Sequence, residues 1–246
     1  MRYFLEVSYN GTSYSGFQLQ KNANTVQSET EKAFKIVLKK EIQLTGSSRT
    51  DAGVHALQNY FHFDIDDELS PQLLYKLNAI LPGDIAVKNL HKVKNDAHCR
   101  FDAITREYKY LIYQKKNPFL VGSAFYFPYA LDLALMQKAA TIIKEYSDFT
   151  SFSKRNTQVK SFLCDLKESE WSMEGECIVY KVKANRFLRG MVKGLTATML
   201  KVGRNKMNID FFRSIVEAKD CTLANFSAPA HGLFLVEVAF PDGYFN

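Results

Sequence analysis

The chain has no apolar run long enough to cross a bilayer. Its first residues, Met1-Arg-Tyr-Phe-Leu-Glu-Val7, reach an acid too early for a secretion signal and read instead as a strand. A cytoplasmic protein is the expectation. Cysteine is sparse. Cys99, Cys164, Cys177 and Cys221 stand far apart with no C-x-x-C pair, which excludes the familiar zinc spacings and a disulfide framework. There is no phosphate-binding P-loop and no dinucleotide glycine fingerprint, so neither nucleotide hydrolysis nor hydride transfer is indicated. Tandem repeats and low-complexity segments are also missing. Charge of one sign is only mildly in excess. The net +6 arises from 32 basic and 26 acidic residues, and by itself says little about nucleic acid.

What is present suffices for a folded protein. With 246 residues and 46% hydrophobic side chains, the chain can build one large domain or two small ones. The basic residues are unevenly spread. Lys154, Arg155, Lys160, Lys181, Lys183, Arg186, Arg189, Lys193, Lys201, Arg204 and Lys206 crowd the C-terminal half. A basic surface there would follow a phosphate backbone and make binding salt-sensitive.

Hydrophobic periodicity gives the elements. Strands are expected at 1–9, 57–63, 85–93, 106–114, 162–171, 177–184 and 233–240. Helices are expected at 25–39, 70–81 (with Pro71 in its first position), 132–146, 186–202 and 209–218. Each half runs roughly strand, helix, strand, helix, strand. The expected class is α+β: two similar subdomains sharing a mostly antiparallel sheet, with helices on one face. The join falls near Ala103 to Arg106, dividing the chain into 1–104 and 105–246, with no composition break to mark a flexible linker.

Chemistry concentrates in Gly46-Ser-Ser-Arg-Thr-Asp-Ala-Gly-Val-His-Ala56, which sets a cation, hydroxyls, a carboxylate and a glycine into one short turn ahead of an aromatic-rich strand. Gly53 permits positive φ just after Asp51. Arg49 brings a planar guanidinium suited to phosphates or base edges. An ionised carboxylate can act as nucleophile or base. On spacing alone the plainer reading is favoured, in which Ser48, Thr50 and Asp51 cap a turn.

Two further elements carry candidates. In Arg106-Glu-Tyr-Lys-Tyr110, a period-2 strand puts Arg106, Tyr108 and Tyr110 on one face. A tyrosine beside a cation can stack on an unpaired base, and it can equally be an ordinary half-buried strand residue. In the expected helix from Arg186, the cations Arg186, Arg189 and Lys193 form a stripe near the N-terminus, where each opposes the macrodipole by roughly 0.3–1 kcal/mol. An RNA phosphate or the Asp51 carboxylate would keep them there; a solvated basic face is the bland alternative. Gly190 and Gly194 would let another segment come close. His55, His62, His91, His98 and His231 complete no ligand set at familiar spacing, so no metal is expected.

The loop around Asp51 resembles the active-site loop of the tRNA pseudouridine synthase A family. Further matches run in register along nearly the whole chain: Tyr9 to Gln20, Thr25 to Gln27, Glu31 to Phe34, Asn78 to Ile85, His98 to Ala103, Arg106 to Tyr110, Asp148 to Phe152, Asn185 to Leu188 and Gly232 to Leu235. The resemblance implies two lobes with combined sheets and an RNA-binding cleft. It implies uridine-to-pseudouridine isomerisation on the 3′ side of the tRNA anticodon stem-loop, without a cofactor, by a homodimer in which one tRNA touches both subunits. Carried over residue by residue, Asp51 is the catalytic carboxylate, Tyr108 packs against the target base, and Lys193 stands where the family usually has an arginine paired with the carboxylate. Arg49, Arg186 and Arg189 are the expected tRNA contacts. The chain departs from the family in Ser48 for glycine, Phe17 and Leu19 for tryptophan and arginine, and Asn10 for aspartate. Two rivals stand beside this reading: a non-catalytic RNA-binding protein, and a metal-dependent phosphodiesterase using Asp51 and His55.

Overall fold

The computed structural model of the chain describes residues 1–155 and 159–245. In chain order the elements are β1 (Arg2–Tyr9), α1 (Val26–Leu38), β2 (Thr45–Gly46), β3 (His55–Asp64), α2 (Leu73–Ile80) and β4 (Ile85–Val93). There follow β5 (Thr105–Tyr113), β6 (Phe125–Tyr126), α3 (Leu133–Ile142), β7 (Leu166–Glu174), β8 (Cys177–Ala184), α4 (Met191–Gly203), α5 (Ile209–Ala218) and β9 (Leu233–Ala239). The class is α+β. All strand pairings but β3/β9 and β5/β6 are antiparallel among those described. No helix among the described residues is long and apolar enough to cross a membrane.

The chain forms two compact units, Met1–Thr105 with Phe234–Asn246, and Arg106–Leu233. Sequence alone had grouped 105–246. The difference lies in β9, which runs parallel to β3 with His55 opposite Phe234 and takes the chain's end into the first unit. A pairing between strands so distant in sequence has no local signature.

In the first unit the order is β4-β1-β3-β9, with β2 added beside β3. Helix α1 begins at a capping box in which the Thr25 hydroxyl accepts from Ser28 N–H and Ser28 accepts from Thr25 N–H. It buries Ala33 and Phe34, and Phe34 meets Phe63 edge-on at 5.0 Å. Period 2 sends Phe4, Tyr60 and His62 to the opposite face, where Phe240, Tyr244 and Phe245 cover Phe4 and Tyr60: Phe4 lies 5.6 Å from Phe240, and Tyr60 stacks on Phe245 at 5.8 Å. Helix α2 starts at Leu73, not at 70. Pro71 sits in a preceding turn, where Leu73 N–H donates to the Ser70 carbonyl.

In the second unit β8 lies between β5 and β7, and β6 runs beside β5. Helix α4 is its centre. It is buried nearly all round, not along one stripe, and packs on α3 and α5. Close approach requires its glycine: a Cβ on Gly194 would stand 2.8 Å from the Phe226 ring. One half-buried sheet surface carries a charge ladder. Lys181 bonds Glu168 at 2.6 Å and lies 3.9 Å from Glu107 and Glu170, while Lys183 lies 3.9 Å from Glu107. These two lysines, counted from sequence in a basic surface, are balanced by acids on the neighbouring strands.

Candidate active site

The Asp51 loop springs from β2, a strand of two residues paired to β3. The spacing expectation of a turn holds: Val54 N–H donates to the Asp51 carbonyl at 3.2 Å, and Gly53 has φ +77°. The segment 10–17 lies over the turn. Phe17 N–H donates to the Thr50 carbonyl at 3.2 Å, and Gly53 N–H donates to the Tyr14 carbonyl at 3.3 Å. Gly11 is required here, since a Cβ on it would fall 2.0 Å from the Val54 carbonyl oxygen. With the backbone bonded on the inside, Arg49 is exposed and Asp51 half-buried.

The remaining loop residues are structural. His55 is buried, accepts from Gly11 N–H at 3.1 Å through Nδ1, and stacks on Phe234 at 4.5 Å. It ties segment 10–17 and β9 to the base of the loop. Phe17 is a core residue stacked on Phe61, so the departure from tryptophan falls inside the unit. Asn10 caps the 3-10 turn at Gly11–Ser13, accepting from Thr12 N–H at 3.0 Å. The Ser48 hydroxyl, in place of a glycine, is buried with no hydrogen-bond partner among the described residues.

In the second unit Tyr108 lies on β5 opposite Val182, buried, with its ring edge-to-face to Phe187 at 5.0 Å. Tyr110 is core, its hydroxyl donating to the Pro229 carbonyl at 2.8 Å. Arg106 donates to the Asn185 carbonyl at 3.1 Å. The expected basic stripe is not formed as a helix face. Helix α4 begins at Met191, after Gly190 with φ +75°, so Arg186 and Arg189 lie in the approach segment and only Lys193 is in the first turn. Gly190 does admit a neighbour: a Cβ there would be 3.0 Å from Lys154 Cγ. Arg189 is exposed, while Arg186 and Lys193 are half-buried.

The chain matches the family model for tRNA pseudouridine synthase over residues 6–102 and 146–241. The chain belongs to the tRNA pseudouridine synthase family. It is 43% identical to tRNA pseudouridine synthase A of Parabacteroides distasonis over 246 residues, covering 99% of this chain and 98% of that one. Against the Bacteroides thetaiotaomicron protein of the same name, identity is 43% over 249 residues, with 100% and 93% covered. Against the one from Staphylococcus aureus it is 37% over 241 residues, with 97% and 91% covered.

This pseudouridine synthase family member also gathers groups that sequence spacing did not join. His62, His98 and Cys99 bring potential ligand atoms within 4.8 Å of one another. Hydrogen bonding accounts for the cluster. His62 Nδ1 meets Cys99 Sγ at 3.2 Å, the thiol reaches the Thr45 carbonyl at 3.2 Å, and His98 Nδ1 accepts from Arg100 N–H at 3.1 Å.

Burial pushes His62 down to about 4 from an ordinary 6.5, with His98 and Arg2 adding to the effect. Burial also lowers His91 and His98. The unfolded chain takes up a proton on His62 below 6.5, whereas the folded chain resists until about 4. The group's stabilisation is therefore full above pH 6.5 and lost as pH falls toward 4. Urea unfolding at pH 7 and pH 4.5 is expected to show this loss, and His62→Gln to reduce it; equal acid sensitivity in the variant refutes the assignment.

Proposed function

We propose that this protein isomerises uridine to pseudouridine in tRNA, on the 3′ side of the anticodon stem-loop. The observation that carries the proposal is the Asp51 loop, a half-buried carboxylate beside an exposed arginine on a backbone bonded from within, in a chain of this family. The reaction breaks the C1′–N1 bond, turns the base and rejoins it through C5, which gives up its proton while N1 takes one up. Substrate and product are isomers, so no redox or nucleotide cofactor is consumed. A paired or stacked target base must first leave its helix. Arg49 fills or braces the vacancy. Tyr108 stacks on the extruded base. Asp51 either attacks the sugar or base, or takes a sugar proton to give a glycal. Arg186 and Arg189 hold phosphates, and the protein acts in the cytoplasm as a homodimer.

Lys193 takes the role of the family's usual arginine, supplying a point charge to the carboxylate where the arginine gives a two-toothed fork. Lys193→Met is expected to lower kcat by about a hundredfold, the scale of one electrostatic contact to reacting groups, while Lys193→Arg stays within about tenfold of wild type. Steady-state kinetics on a tRNA transcript decides this, and an unchanged kcat in Lys193→Met removes the role.

Unmodified tRNA incubated with the protein and mapped for pseudouridine tests the function. Product on the 3′ side of the anticodon arm supports it, product elsewhere in tRNA overturns the location, and no product overturns the reaction. Sedimentation with and without tRNA tests the dimer.

A further inference from the structure

We propose that Asn59, acting with Tyr9, is a positioning residue that fixes Arg49 and Asp51 from the buried side of their loop; the proposal rests on the pseudouridine synthase reading. The ladder between β2 and β3 proceeds from Thr45 opposite His62 to Gly46 opposite Phe61, and Ser47 N–H then donates to the Tyr60 carbonyl at 2.8 Å. The next rung would join Ser48 to the Asn59 backbone. The Asn59 side chain takes that place. Its Nδ2 donates to the Ser48 carbonyl at 2.9 Å, and Ser48 N–H donates to its Oδ1 at 3.3 Å. The amide works as a strand edge moved outward by one side chain. The loop can leave β3 here without stranding the polar groups of a buried backbone.

The same amide reaches the far side of Arg49. Its second Nδ2 hydrogen goes to Tyr9 Oη at 3.3 Å, and Tyr9 Oη shares a 2.7 Å hydrogen bond with Thr50 Oγ1. Oδ1 also accepts from Tyr60 N–H at 2.9 Å. All the hydrogen-bonding capacity of this fully buried side chain is therefore used. Ser48 and Thr50, the neighbours of Arg49, are held by one network, directly and through the Tyr9 phenol. Thr50 also precedes Asp51. A leucine at 59 would leave Ser48 N–H and C=O buried and unpaired. An aspartate would set an oxygen against the Ser48 carbonyl. An uncharged amide presents donor and acceptor together to the backbone of one residue.

Displacement of a catalytic group by about 1 Å costs about a hundredfold in rate. Asn59→Leu and Tyr9→Phe are compared with wild type, using Thr30→Val as the control. Thr30 is equally buried in the same unit and donates to the Val26 carbonyl at 2.8 Å in α1. Single-turnover rates, KM for tRNA and ellipticity are measured at a temperature where each variant is folded. Asn59→Leu is expected to lose about a hundredfold in kcat with KM within about threefold. Tyr9→Phe, which removes one hydroxyl and tolerates folding, is expected to lose about tenfold. Thr30→Val keeps the wild-type kcat. Folded Asn59→Leu or Tyr9→Phe with wild-type kcat overturns the proposal alone, as does a loss confined to KM. Wild-type protein that makes no pseudouridine overturns the functional reading, and the proposal falls with it.

Discussion

Asp51→Asn is expected to reduce pseudouridine formation by at least about a thousandfold, with tRNA affinity and thermal stability close to wild type. Asparagine keeps the shape of the half-buried side chain. The Val54 N–H bond goes to the backbone carbonyl of residue 51 and survives the change. What is lost is the charge, and with it the nucleophilicity and basicity that the two proposed routes need. An amide neither attacks C1′ or the base nor takes a sugar proton. Asp51→Ala is expected to behave alike, which separates lost chemistry from a new amide contact. Product measured by pseudouridine-specific primer extension decides the point, and a substituted protein with the wild-type rate means that another group does the chemistry. The same assay addresses the rivals. A non-catalytic RNA-binding protein gives no product with any sequence at 51. A metal-dependent phosphodiesterase cleaves the strand and stops with a chelator, whereas isomerisation leaves the strand whole.

The parts legible in sequence are those with local causes. Period-2 alternation gave β1, β4 and β8 to within a residue, and Asn208 before Ile209 marks the start of α5, its Oδ1 accepting from Phe211 N–H at 2.7 Å. The turn after Asp51 followed from Gly53. The boundary of α4 was misplaced because the apolar spacing of Phe187 and Leu188 continues the helix pattern through Gly190, whose left-handed backbone breaks it. Partners far apart in sequence left no local mark. These include β9 against β3, the C-terminal aromatics over Phe4, and Cys99 against His62, 37 residues away. Asn59 did carry a signal that was not used. In Leu57-Gln-Asn-Tyr-Phe-His-Phe63 it is an amide in line with Phe61 and Phe63, and a polar residue on an apolar strand face needs a partner.

Phe17→Ala is expected to cost the first unit about 3–5 kcal/mol, the range for emptying a phenylalanine site in a packed core. Phe17 is 1% exposed. Its ring stacks on Phe61 at 4.4 Å with 11° between the planes, and on Tyr9 at 5.5 Å. On the remaining side it lies against Gly46, where a Cβ would fall 2.4 Å from the ring. Those walls are strand residues held by β1/β3 and β2/β3 pairing, so they cannot collapse into the space. The fit also predicts the effect of restoring the family's common residue. Tryptophan is larger than a site closed by Gly46, and Phe17→Trp is expected to cost about 1–3 kcal/mol through overpacking. Because Phe17 N–H also bonds the Thr50 carbonyl, the alanine variant should lower kcat along with stability. Urea unfolding followed by far-UV ellipticity is the measurement, since the single tryptophan, Trp171, lies in the other unit. A Phe17→Ala midpoint within about 1 kcal/mol of wild type would mean that the stack contributes little and that the loop is held by its hydrogen bonds alone.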